Sequence, residues 1–248
     1  MRNIKITIEY DGTDFQGWQI QKKKERTIQD EIKKSLHKIF GKALNVCGSG
    51  RTDSGVHALA QVAHFKVHSP MPIEIIRRAL NGNLPPDIAI TRVEEVPLDF
   101  HAQYSPKSKI YRYTIHNGSV RSALWRRYSL CVSTKLNVAS MRREAQYLVG
   151  EHDFKSFQAS DPVRRNKGSS IRAIHQIKIK KSGDFIFIDI EANGFLYKMV
   201  RNIVGCLIAV GQGRLSQGGL KVILEQKDRR CALETARAHG LCLFEVKY

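Results

Sequence analysis

Strand-like and helix-like hydrophobic patterns alternate along this chain, and that alternation restricts its fold more than any other feature of the sequence. Ile4, Ile6 and Ile8 alternate with polar residues, which predicts a half-buried strand. A helical pattern follows, with Thr27 as its expected N-cap and acidic residues in its first turn. The first hundred residues continue in this way, as strand and helix on both sides of a glycine-rich loop.

The same reasoning extends to the rest of the chain. Strands are predicted at residues 3–10, 62–68, 88–93, 109–116, 171–179, 185–190 and 241–246, and helices at 27–40, 70–80, 136–149, 194–210 and 220–226. Together they predict an α+β fold of two similar halves, residues 1–105 and 106–248. Each half is expected to hold an antiparallel or mixed sheet with helices on one face, with an active-site cleft between the halves.

The glycine-rich loop spans residues 48–57 and reads GSGRTDSGVH. Its glycines permit close approach to the main chain, so Asp53 at the tip is interpreted as a presented carboxylate. Arg51 is placed to orient a carboxylate or to neutralise a phosphate. A glycine-rich turn with one Asp is usually only a turn, so spacing alone leaves both interpretations open. The glycine spacing supports neither a P-loop nor a dinucleotide fingerprint.

The charge balance indicates a polyanionic partner. Lys and Arg number 41 against 23 Asp and Glu, a formal charge of +18. Nucleic acid is favoured over a membrane, because no apolar run reaches transmembrane length and the first residues open into a strand pattern. Lys22–Lys24 and the run Arg164, Arg165 and Lys167 are candidate phosphate contacts. Trp18 is interpreted either as a base-stacking residue or as a core residue.

The cysteines and histidines predict no metal site. The five cysteines are odd in number, widely spaced and without a Cys-x-x-Cys pair, which is typical of reduced cysteines in a cytosolic protein. The nine histidines show no metal-like clustering in the sequence. An isolated arginine, Arg201, lies in an apolar helical run, so it is expected either to reach solvent or to have an acidic partner.

Several motifs, taken together and in order, resemble the TruA-type tRNA pseudouridine synthases. These are GRTDSGVHA at 50–58, YDGTDFQGWQ at 10–19, NGNLP at 81–85, FHA at 100–102, KIYRY at 109–113, DFKSF at 153–157 and GFLYKMVRNIVG at 194–205. The resemblance spans nearly the whole chain. The chain departs from the family pattern at Gln103, where an Arg is usual, and at Leu233, Glu234 and Arg237 near its C-terminal end.

The resemblance implies a specific activity and a pseudouridine synthase fold. The expected reaction is isomerisation of uridine to pseudouridine in the anticodon stem-loop of tRNA, at positions 38, 39 and 40. No metal or organic cofactor is implied, and the expected assembly is a cytoplasmic homodimer that holds tRNA. Asp53 matches the catalytic aspartate, Tyr111 the tyrosine that contacts the target base, and Arg201 the arginine that pairs with the catalytic carboxylate. Arg51 is a further candidate for substrate binding.

Two functions of other classes remain as alternatives. A non-catalytic RNA-binding module would share the charge and the aromatic residues but would not need Asp53. A nucleobase-removing enzyme would use the same aspartate and release the base.

Overall fold

The computed structural model describes residues 1–21, 25–160 and 168–248. The candidate phosphate contacts at Lys22–Lys24, Arg164, Arg165 and Lys167 lie outside the described residues. Along the part of the chain that is described, none of the helices is both long and apolar enough to cross a membrane.

Helices and strands alternate as the hydrophobic patterns predict. In chain order they are β1 (Arg2–Tyr10), α1 (Ile28–Phe40), β2 (Cys47–Gly48), β3 (His57–Val67), α2 (Ile73–Asn83), β4 (Ile88–Val96), β5 (Ser108–His116), β6 (Leu130–Cys131), α3 (Val138–Ala145), β7 (Gly150–Asp153), β8 (Ile171–Ser182), β9 (Phe185–Ala192), α4 (Met199–Gly211), α5 (Gly219–Gln226) and β10 (Leu241–Lys247). The prediction of a mixed fold of helices and sheet is confirmed.

The chain forms two compact units. The first contains residues 1–107 and 242–248, and the second contains residues 108–241. Most of β10 therefore belongs with the first unit. The proposed division into two similar halves at residue 105 stays a prediction.

The first unit is built on a sheet in the order β4-β1-β3-β10. β1 pairs antiparallel with both β3 and β4, β10 runs parallel to β3, and the short β2 pairs antiparallel with β3. Ile4, Ile6 and Ile8 are fully buried, as the alternation of β1 predicts. Trp18 is 2% exposed, so the core interpretation of this residue is the right one.

The second unit is built on antiparallel strands in the order β5-β9-β8-β7, with β6 parallel to β5. Arg112 of β5 and Asp189 of β9 are register partners and form a two-pronged ion pair, with N–O distances of 2.7 and 2.8 Å. Helix α4 is apolar on nearly all sides and lies buried in this unit, which is the pattern of a central helix.

The main differences from the predicted helix bounds lie in α2, α3 and α4, and α2 begins at Ile73 rather than at residue 70. α2 continues to Asn83, because the side chain of Asn81 bonds both backbone groups of Ile90 in β4 and docks the end of the helix there. α4 begins at Met199 rather than at residue 194, because Lys198 has a left-handed backbone (φ 57°). α3 is shorter than predicted and begins after Asn137, whose side chain accepts the Ser140 N–H.

Candidate active site

A tight turn at the end of the loop carries Asp53. We call residues 49–56 the Asp53 loop; β2 leads into it and β3 leads out of it. The Val56 N–H donates to the Asp53 carbonyl at 3.2 Å, and Gly55 between them has a φ of +74°. Such a turn favours glycine at that position, because a Cβ is disfavoured at positive φ. Asp53 is half-buried and Arg51 is exposed.

Strand β3 holds the start of the Asp53 loop. The buried side chain of Gln61 accepts from the Ser49 hydroxyl at 2.7 Å and donates to the Gly50 carbonyl at 3.0 Å. The Ser49 N–H also donates to the carbonyl of Val62 at 2.7 Å. These bonds fix the loop where it leaves the sheet.

The segment of residues 12–18 holds the tip of the loop, mainly through main-chain groups. The Trp18 N–H donates to the Thr52 carbonyl at 3.1 Å, and the Gly55 N–H donates to the Phe15 carbonyl at 3.3 Å. The Thr52 hydroxyl pairs with that of Tyr10 at 2.8 Å. Main-chain bonds on both sides of Asp53 therefore position its backbone.

Glycines let this segment lie directly against the loop. A Cβ added at Gly12 would stand 2.0 Å from the Val56 carbonyl oxygen, and one added at Gly17 would stand 2.5 Å from that of Thr52. Gly17 also has a φ of +86°. The sequence analysis gave neither glycine a role at the site, although both lie in the quoted motif at 10–19.

Tyr111 lies on β5 in the second unit. It pairs with Ile190 of β9, is 8% exposed, and meets the ring of Phe195 edge to face at a centroid distance of 5.0 Å. Phe195 was not predicted as a site residue, although it too lies in one of the quoted motifs. Tyr113, two residues further along β5, is fully buried.

The hydroxyl of Tyr113 reaches the C-terminal part of the second unit. It donates to the Arg237 carbonyl at 2.8 Å, while Gly240 lies against the ring, where a Cβ would come within 2.7 Å. Burial raises the pKa of Tyr113 above its usual value, an effect that the charges of Arg201 and Arg237 oppose. Tyr113 is therefore a neutral packing residue at physiological pH.

Arg201 lies in α4 and is half-buried. Its Nε donates to the Ala236 carbonyl at 2.7 Å, and the Ala236 N–H donates to the Arg201 carbonyl at 3.1 Å. Sequence reasoning expected solvent or an acidic partner for this side chain; a backbone carbonyl is one partner that it did not foresee. The bond at Nε fixes the direction of the guanidinium.

A buried polar network fixes the helix of Arg201. Asn202 is fully buried, donates to the Phe157 carbonyl at 2.7 Å, and accepts from Thr235 and Arg229 at 2.6 and 3.1 Å. We call α4 together with residues 228–237 the α4–tail junction. At Gly205 an added Cβ would stand 1.8 Å from the carbonyl oxygen of Glu234, so the two parts of the junction are in direct contact. Sequence reasoning missed this network, because its members are distant in the chain.

The predicted site residues therefore fall into two groups. Asp53 and Arg51 share one loop in the first unit, whereas Tyr111 and Arg201 belong to the second unit. Two histidines that are distant in the sequence lie close together in the fold, since the rings of His64 and His101 are 4.8 Å apart.

Comparison with known proteins gives consistent results. A family model described as tRNA pseudouridine synthase matches residues 6–105 and 145–248. The chain is 47% identical to tRNA pseudouridine synthase A of Ruminiclostridium cellulolyticum, 46% to that of Geotalea daltonii and 45% to that of Thermoanaerobacter pseudethanolicus. Each of these matches covers 100% of this chain and 100% of the relative.

Proposed function

The chain belongs to the tRNA pseudouridine synthase family, and we propose that it isomerises uridine to pseudouridine in the anticodon stem-loop of tRNA, at positions 38, 39 and 40. As a member it is an isomerase that acts on tRNA. The observation that carries the finer proposal is the Asp53 loop, in which main-chain bonds on both sides position one half-buried carboxylate.

The proposed chemistry suits a positioned carboxylate. The bond between N1 of uracil and C1′ of the sugar breaks, the base rotates, and C5 bonds to C1′ while a proton moves from C5 to N1. Positive charge develops on the sugar as the base detaches. An ionised Asp53 stabilises this charge, attacks C1′, or removes a sugar proton, and all three routes require the carboxylate in its charged form.

Roles for the other residues follow from their surroundings. Tyr111 is proposed to contact the target base, since its ring is held by Phe195 and has little freedom to move. Arg201 is proposed to pair with the catalytic carboxylate, and its bond to Ala236 sets the direction in which it points. Arg51 is exposed beside Asp53 and is proposed to bind an RNA phosphate. These roles require Asp53 of the first unit and Tyr111 and Arg201 of the second unit to act on the same uridine.

The remaining parts of the proposal concern partners. A charge of +18 provides attraction for tRNA, and extraction of a uridine from its stack costs roughly a few kcal/mol, which phosphate contacts offset. We also propose that the protein acts in the cytoplasm as a homodimer. Exposed apolar side chains in the second unit, Val120, Leu124 and Trp125, offer a surface for such an association.

Substitution of the carboxylate tests the proposal. Asp53→Asn keeps the size of the side chain and removes its charge, so pseudouridine formation should vanish while tRNA binding stays nearly intact. Asp14→Asn is the matched control, because Asp14 is an exposed carboxylate in the segment that holds the loop. The assay incubates an unmodified tRNA transcript with each variant and measures both pseudouridine and free uracil.

Each outcome separates the alternatives. Pseudouridine from the wild type, and none from Asp53→Asn, supports the proposal. Free uracil would indicate a base-removing enzyme, and binding without either product would indicate an RNA-binding module. Turnover near the wild-type level in Asp53→Asn would refute the catalytic role of this residue.

A further inference from the structure

The fold of the first unit brings together three side chains that are far apart in the sequence: Cys47, His64 and His101. One possible ligand atom from each, the cysteine sulfur and a ring nitrogen of each histidine, lies within 4.8 Å of the other two. Cys47 and His101 are half-buried and His64 is buried. This cluster is separate from the groups assigned to uridine chemistry.

The sheet places the first two of these side chains. Cys47 in β2 and His64 in β3 are register partners in an antiparallel pair, so their side chains emerge on the same face. His64 is further fixed by the Ala102 N–H, which donates to its Nδ1 at 3.2 Å. Burial, and to a smaller extent the charge of His101, lower the pKa of His64.

The turn that follows β4 delivers the third side chain. The His101 carbonyl accepts the N–H groups of Tyr104 and Ser105, at 3.1 and 2.9 Å, and the His101 N–H donates to the Ser105 hydroxyl. Its ring stacks on Tyr104 at a centroid distance of 4.4 Å. The backbone of His101 is therefore fixed, while its half-buried ring faces that of His64.

We propose that Cys47, His64 and His101 form a binding site for a divalent transition-metal ion of the zinc class. A thiolate and two imidazoles are the donors that zinc prefers, and three protein ligands leave a fourth position for water. In a tetrahedral zinc centre the ligand atoms are roughly 3.3 to 3.6 Å apart, so side-chain rotations that move them by about 1 Å would close this site. Cys47 and His101 are half-buried, so rotation of their side chains can supply this movement while the Ala102 N–H holds His64 in place.

The position of the site gives it a structural consequence. Cys47 comes directly before Gly48 and the Asp53 loop, so a metal bound there would tie β2 to β3 and to the turn at His101. The metal would brace the strand that leads into the loop without touching Asp53. We therefore assign the site to stabilisation of the first unit, with no part in the isomerisation.

Metal titration of the untagged, metal-stripped protein tests this site. Zinc is measured by equilibrium dialysis and cobalt(II) by absorbance, since a cobalt–thiolate bond gives a charge-transfer band that nitrogen ligands alone do not. We expect one metal ion per chain, a thiolate band, and a rise in Tm on zinc addition. Cys47→Ala and His101→Asn should each weaken binding at least tenfold, and Cys47→Ala should abolish the band.

The controls separate this site from other cysteines and from misfolding. Cys131→Ala and Cys231→Ala remove exposed thiols of the second unit and should bind metal as the wild type does. The folding of metal-free Cys47→Ala and His101→Asn is checked by circular dichroism, and their activity by pseudouridine formation. We expect at least His101→Asn to fold, because His101 is half-buried. Failure of the wild type to bind zinc at micromolar concentration, or a thiolate band that survives in Cys47→Ala, would overturn the proposal. Neither result bears on the assignment of Asp53.

Discussion

The Asp53 loop and the α4–tail junction each hold a proposed site residue, but they do so by different means. The tip of the Asp53 loop is fixed mainly by main-chain bonds to the segment of residues 12–18, which glycines allow to lie close. The α4–tail junction is fixed by side chains, above all by buried Asn202 and by Arg201 itself.

Because of this difference, a substitution in the Asp53 loop can change activity without changing stability, whereas a substitution in the α4–tail junction can change both. In the Asp53 loop, the main-chain bonds that hold the tip do not involve the Asp53 side chain, so Asp53→Asn leaves these bonds in place. In the junction, Arg201 is proposed to act in the reaction and also bonds the tail. The stability of each variant in the α4–tail junction must therefore be measured before a change in its turnover is attributed to the reaction.

Gly12→Ala should give the largest loss of stability, because it pushes a methyl group against the main chain of the loop. A Cβ there would stand 2.0 Å from the Val56 carbonyl oxygen, and neither backbone can yield without breaking the contact. We expect a loss of about 3 kcal/mol or more in the free energy of unfolding, together with loss of activity. Denaturant unfolding measures the first and the tRNA assay the second.

The matched control for this variant is Gly82→Ala. Among the described residues, no atom lies within 4 Å of a Cβ at Gly82, which lies within α2. This variant should therefore be unchanged or stabilised by about 0.5–1 kcal/mol. If Gly12→Ala has the same free energy of unfolding as Gly82→Ala, close backbone approach does not stabilise the Asp53 loop. The proposed contrast with the α4–tail junction would then be wrong.

Asn202→Ala tests the side-chain network of the junction. The substitution removes three hydrogen bonds and leaves the Phe157 carbonyl and the Thr235 hydroxyl without this partner. We expect destabilisation of about 2–4 kcal/mol, measured by thermal or denaturant unfolding. Asn83→Ala is the control, since Asn83 is exposed and bonds only at the surface, and its change should stay within about 0.5 kcal/mol. A cost below that of the control would show that the network contributes nothing.

Burial of Lys109 gives the second unit a pH-dependent stability. Burial lowers the pKa of Lys109 from 10.5 to about 8, so the unfolded chain binds more protons than the folded one between these values. Its contribution to folding is therefore unfavourable below pH 8 and disappears as the pH rises toward 10.5. The stability of Lys109→Met relative to the wild type should therefore be about 1–3 kcal/mol higher at pH 7 than at pH 10.

The difference between wild type and variant is the quantity to measure, since tyrosines also titrate in this range. Lys180→Met, at an exposed position of β8, should show no such dependence. An identical response of both variants to pH would contradict the assignment to Lys109.

The smallest effects are expected from a pair of tyrosines on one face of β5. Tyr113→Phe loses the bond to the Arg237 carbonyl and should cost about 1 kcal/mol in stability. Tyr111→Phe keeps the ring contact with Phe195, so it should retain the fold while lowering turnover. Equal losses of Tm and of activity in Tyr111→Phe would identify this residue as structural.

Sequence patterns were sufficient where burial follows a local period. Ile4, Ile6 and Ile8 show this in β1, where every second residue faces the core. They were insufficient where a distant contact decides the local structure. The side chain of Asn81 fixes the end of α2 by bonding to the backbone of Ile90, and no local sequence pattern predicts that bond.

The candidate site divides in the same way. The loop around Asp53 could be recognised because its glycines and its carboxylate are consecutive. The cluster of Cys47, His64 and His101 could not, because a strand pair and a remote turn are needed to assemble it. The role of Gly12 was also hidden, since its partner Val56 lies on the other side of α1 in the chain.

The parallel pairing of β10 with β3 has a consequence for how the protein is made. Cys242 and Leu243 lie beside His57 and Ala58, the first residues after the Asp53 loop. A ribosome that adds about 5–20 residues per second needs on the order of ten seconds or more to travel from β3 to β10. Throughout that time β3 of the nascent first unit lacks its β10 partner at His57 and Ala58, beside the Asp53 loop. A chain whose synthesis stops before β10 should therefore expose unpaired backbone groups on β3, and we expect chaperones and proteases to bind it.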